Sequence, residues 1–118
     1  MKSDNAIQSK SYAFAVRIVR LYQHLCMEKK EYVLSKQILR CGTGIGANVE
    51  EAIGGQYRAD FVSKMSIAYK EARETVYWLR LLKDTDYLTP TQFTDIHADA
   101  EELCRIIASI QKSTKTRG

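Results

Sequence analysis

At 118 residues the chain is long enough for one core and too short for two. Its 45% hydrophobic and 27% charged residues give the balance of a folded domain, not a disordered one. One proline and six glycines argue against a turn-rich β-sandwich, three scattered cysteines against a disulfide framework, and the absence of a long apolar run against a membrane span.

Met1–Asn5 leads into no apolar signal core, so a cytoplasmic protein with a single domain over 1–118 is expected. The net charge of +4 is unevenly spread. Residues 10–30 hold five bases and one acid, whereas residues 85–111 hold five acids and only Arg105. Residues 112–118 add Lys112, Lys115 and Arg117. Such polarised faces can attract nucleic acid or pair with each other.

The first helix is predicted over about 9–27. Phe14, Ile18, Leu21 and Leu25 recur at helical spacing, with Ala15, Val19, Tyr22 and Cys26 in a row beside them. Lys10, Arg17, Arg20 and His24 form a basic stripe on what reads as the outer side. Glu28–Glu31 breaks the apolar pattern as a short connection.

The second helix is predicted over about 32–53, on Leu34, Ile38, Cys41, Ile45, Val49 and Ala52. Gly42, Gly44 and Gly46 lie in its middle, each costing about 1 kcal/mol against alanine. The apolar stripe stays in register across them, so one helix is expected, with a neighbouring backbone close by. No strand precedes them and no Gly-Lys-Ser/Thr follows, so this is not a phosphate loop. Gly54-Gly55 is expected to supply a left-handed C-cap.

The third helix is predicted over about 58–83, with a core stripe of Phe61, Met65, Ala68, Ala72, Val76, Leu79 and Leu82. A second line, Ile67, Glu71, Glu74, Trp78 and Leu81, runs along the other side. With no partner expected inside one bundle, it reads as a subunit interface anchored by the single tryptophan. The fourth helix is predicted over about 90–112. Thr89 is the N-cap, Pro90 the first helical residue and Gln92 the capping-box partner. Phe93, Ile96, Ala100, Leu103, Ile107 and Ile110 face the core, Asp95, Asp99 and Glu102 line a flank, and 113–118 reads as a frayed polar tail.

Four such helices with short connections predict an all-α, antiparallel up-down-up-down bundle. No reaction is expected of it. Neither His24 nor His97 follows a glutamate by three residues, as a di-iron site requires. His97, Glu101 and Cys104 share a flank, but no Cys-x-x-Cys or His-x-x-x-His supports a metal. No serine sits in a nucleophile elbow. Neither metal nor cofactor is expected. Arg40, Asn48, Glu51 and Glu74 read as structural polar groups, with Asn48 close to the buried stripe and in need of partners.

Residues 35–40, Ser-Lys-Gln-Ile-Leu-Arg, followed by 44–52, Gly-Ile-Gly-Ala-Asn-Val-Glu-Glu-Ala, resemble the signature QLRRA-x-SI-x-x-NIAEG. That signature belongs to a bacterial four-helix bundle family that includes the 23S rRNA intervening sequence proteins. More distantly, the family includes the accessory variability determinants of diversity-generating retroelements. Gln37, Arg40, Ile45, Asn48 and Glu51 match the signature, and Glu74 matches a third-helix glutamate. Gly44 stands where serine is usual and Ala52 where glycine is. The resemblance covers about 10–112. It implies a homopentamer associated with RNA or DNA, in some members beside a reverse transcriptase, and no reaction. The alternative is a structural or protein-interaction oligomer that binds no nucleic acid.

Overall fold

The computed structural model describes residues 2–116, and among them there are four helices and no strand. They are α1 (Lys2–Met27), α2 (Leu34–Ile53), α3 (Arg58–Asp84) and α4 (Pro90–Thr116). Each packs on its neighbours in sequence, and α1 also packs on α4. The bundle measures 47 × 21 × 19 Å. None of the described helices is long and apolar enough to cross a membrane.

The predicted stripes form the core. Phe14, Ile18, Leu25, Ile38, Ile45, Val49, Met65, Leu79, Leu82, Leu103 and Ile107 are buried in it. On area-transfer grounds each such side chain contributes about 1.5–3 kcal/mol. α1 starts at Lys2 rather than near Ser9, because Ile7 continues the stripe upstream and is itself buried. The parallel row is shallower than expected: Val19 is exposed and Ala15, Tyr22 and Cys26 are half-buried.

α2 starts at Leu34 rather than at residue 32. The Glu31 carboxylate accepts from the Ser35 amide at 2.7 Å and the Val33 amide at 3.2 Å, which holds the chain just before the helix in a turn. α2 then runs unbroken through all three glycines. Gly42 and Gly46 face α1. A Cβ on Gly42 would stand 2.7 Å from Ile18 Cγ1, and one on Gly46 would stand 3.3 Å from the Ser11 carbonyl oxygen. Gly44 faces the other way, toward Glu71.

The left-handed cap expected at Gly54-Gly55 is not there. Gly54 keeps right-handed helical angles, and its amide bonds to the Glu50 carbonyl at 3.0 Å. Lys30 and Asp86 hold the positive φ angles instead, at 57° and 69°. At Asp86 the chain closes α3 in a Schellman turn, Tyr87 N–H bonding to the Leu82 carbonyl and Asp86 N–H to the Lys83 carbonyl. The N-cap of α4 is as predicted. The Gln92 amide donates to Thr89 Oγ1 at 3.1 Å, and the Thr89 amide donates to Gln92 Oε1 at 2.9 Å. The segment 113–116, read as frayed, continues α4: Thr114 is half-buried and its hydroxyl bonds back to the Ile110 carbonyl at 2.8 Å.

The glycines yield a test of the α1–α2 contact. Gly42→Val pushes a branched side chain into Ile18 and is expected to cost about 2 kcal/mol through overpacking. Gly44→Ala meets only the mobile end of Glu71, at 3.1 Å. Its helix-propensity gain of about 1 kcal/mol keeps it near wild type or slightly above. Chemical denaturation measures both, and equal stability of Gly42→Val and wild type would contradict a close helix approach.

Candidate nucleic-acid interface and signature cluster

Of the residues singled out in α2 and α3, Arg40, Glu71, Glu74 and Trp78 meet at the edge of the α2–α3 contact. The Arg40 guanidinium pairs with Glu74 and reaches Glu71 at 3.5 Å. The Trp78 indole N–H donates to the same Glu74 at 2.9 Å, and its ring packs on the core beside Tyr77. The line expected to lack a partner within one bundle therefore has one in α2, because Arg40 projects across the α2–α3 contact. Ile67 alone of that line is exposed, and Leu81 is half-buried. Burial raises the Glu71 pKa above the ordinary carboxylate range, and Glu74 adds to the rise while Arg40 opposes it.

Asn48 does not bridge helices. It is half-buried, and its amide donates to the Gly44 carbonyl of its own helix at 2.8 Å. Glu51 points out toward α3 and pairs with Lys64 at 2.7 Å. Glu74 therefore meets Arg40 rather than Asn48 or Glu51.

The basic stripe of α1 is not an outer face along its whole length. Lys10 pairs with Glu102 of α4 at 2.9 Å. Arg17 pairs with Asp95 at 2.8 Å and with Asp99. Two of its cations thus close the α1–α4 seam, which the acidic flank of α4 lines. Arg20 is exposed. His24 is half-buried, and its Nε2 is buried without a hydrogen-bond partner.

The C-terminal cations are placed differently. The start of α3 and the end of α4 enclose a cleft of about 460 Å³. Arg58, Lys112 and Lys115 line it, and among the described residues no carboxylate does. Arg58 donates to the Thr114 carbonyl near the end of α4, where cations suit the helix dipole. Sequence reasoning missed Arg58, which sits 54 residues from Lys112 and gave no local signal. Arg117 lies outside the described residues.

The remaining polar candidates make contacts within α4. His97 stacks on Phe93 and its Nε2 lies 3.4 Å from Glu101. Cys104 is buried beside them. Among the described residues no three His, Cys, Asp or Glu side chains are grouped as a metal site would need.

The family model described as 23S rRNA-intervening sequence protein matches residues 3–109. A crystal structure of a protein with unknown function from the S23 ribosomal protein family of Bacteroides thetaiotaomicron is similar to this chain, with a TM-score of 0.92 and 54% identity. The match covers 93% of this chain and 98% of that one. Among curated proteins none matches.

The thiols offer a chemical check on the packing. Burial pushes the Cys41 thiol up to about 11, with Thr75 Oγ1 3.2 Å from its sulfur, and burial raises Cys104 as well. Both stay protonated at neutral pH, and only a thiolate reacts quickly. In the native protein Cys26, which is half-buried, should be alkylated first, with Cys41 and Cys104 reacting only after unfolding. Mass spectrometry of iodoacetamide-treated protein reads this directly, and fast labelling of Cys41 would contradict its placement.

Proposed function

The chain belongs to the 23S rRNA-intervening sequence protein family, and from that premise we propose that it is a non-enzymatic, self-assembling bundle that binds nucleic acid through the basic end of α3 and α4. One observation carries the reading. Arg58 and Lys115 line one cleft that has no carboxylate in its wall among the described residues, whereas Lys10 and Arg17 of α1 are held by carboxylates of α4. Cations set away from carboxylates attract phosphates, and ion-paired ones do so weakly.

The bundle is antiparallel, up-down-up-down. Contacts that join early residues of one helix to late residues of the next support this, as in Gln8 with Glu50, Glu51 with Lys64, and Ser66 with Gln111. Self-assembly, as a homopentamer, uses the outer face of α1. There Tyr12, Val16 and Val19 are 69%, 37% and 39% exposed on a line opposite the core stripe. A helix apolar on two sides gains from covering both. The protein works in the reducing cytoplasm, where its three free thiols are stable.

Binding to RNA and DNA duplexes is expected at low salt. It should fall roughly 12-fold between about 50 and 200 mM, the counterion-release slope for two phosphate contacts. Arg58→Glu with Lys115→Glu should remove most of it, and Arg20→Glu should remove less. Undetectable binding at low salt would overturn the nucleic-acid reading. Light scattering is expected to give a multiple of the 13.5 kDa chain, a mass that Val16→Glu with Val19→Glu reduces. A monomeric wild type at micromolar concentration would overturn the assembly.

A further inference from the structure

The cleft between α3 and α4 has more than a cationic rim. Its floor is apolar, with Phe61 half-buried, Val62 42% exposed and Met65 beneath them. Phosphates alone have no use for such a floor. We propose that the cleft receives an unpaired nucleotide of a single strand, its base on Phe61 and Val62 and its phosphates on Arg58 and Lys115. This rests on the nucleic-acid reading above and names which form of nucleic acid the site takes.

The physical argument is complementarity on two counts. A duplex keeps its base faces in its own stack, so it offers the rim its phosphates and the floor nothing. An unpaired base has a flat apolar face, and aromatic side chains accept such faces with little regard to sequence. The volume of about 460 Å³ falls within the usual range for small-ligand clefts. The wall carries two groups able to meet a base edge, the Ser66 hydroxyl and the Gln111 amide, which lie 3.3 Å apart. Arg58 is anchored by the Thr114 carbonyl, and a guanidinium with five N–H donors keeps others for a phosphate. An acidic apolar peptide would satisfy the same charges, but it lacks the rigid planar face that gains most on an aromatic floor.

Fluorescence anisotropy with the full chain tests this. The probes are a short single-stranded RNA, the same sequence as DNA, a blunt duplex and an abasic strand of equal length. Wild type should bind both single strands roughly tenfold or more tightly than the duplex or the abasic strand, the effect of stacking a base. Phe61→Ala should remove that preference. So should Val62→Glu, whose exposed position spares the core if Phe61→Ala fails to fold. Residual binding of both variants should still fall with salt. Equal wild-type affinity for all four probes would overturn the single-strand inference and leave the nucleic-acid reading standing. A preference that survives Val62→Glu would place the base elsewhere and overturn it too. Binding of none of the probes at low salt would remove the nucleic-acid reading itself. Displacement of the strand by an equal concentration of an alternating glutamate–leucine peptide would assign the cleft to protein instead.

Discussion

The close approach of α2 to α1 sets the arrangement of everything else. Gly42 and Gly46 lie one turn apart and present bare backbone to Ile18 and Ser11 of α1. Side chains at either position would push the two helices apart. The helix-propensity cost of these residues, about 1 kcal/mol each, is offset by the packing they allow. With α1 fixed on that side of α2, the opposite side is given to α3. Gly44 sits there against the Glu71 carboxylate, Arg40 crosses to Glu71 and Glu74, and Thr75 reaches the Cys41 sulfur. The alternation of glycine with other residues from 42 to 46 thus divides one helix between two neighbours.

Charge follows from the same geometry. Placing α1 beside α4 sets a basic row against an acidic one, and Lys10 and Arg17 are used to hold the seam. These pairs are partly exposed, so each contributes modestly to stability. Their larger effect is on where positive charge remains available. Where α4 ends and α3 begins, the dipole of α4 favours cations, and among the described residues no carboxylate lines that cleft.

Several polar side chains in and beside the core bond within their own helices. The Thr75 and Thr43 hydroxyls and the Asn48 amide bond to carbonyls one turn back in their own helices, at 2.7, 2.6 and 2.8 Å. Such bonds need no partner helix, so they leave α1–α4 free to choose their register by apolar packing. The Arg40–Glu74–Trp78 group is the main exception, and it lies at the edge of the core rather than within it.

Periodicity alone determined the four helices, their core stripes and the Thr89–Gln92 cap, because each depends on residues within a turn or two. The small residues of α2 likewise announced a close neighbour. Boundaries were harder to read. The start of α1 depended on burying Ile7, and the end of α4 on Thr114 and the Arg58 contact, which are visible only once other helices are in place. The site was legible in part. Lys112 and Lys115 were evident from charge, but Arg58, Phe61 and Val62 join them only because α3 starts where α4 ends. The basic stripe of α1 and the Glu71–Trp78 line were both visible as patterns, yet neither pattern says what lies opposite. A helical wheel gives the direction of a side chain, whereas its partner is fixed by how the helices pack, and only the tertiary structure decides that.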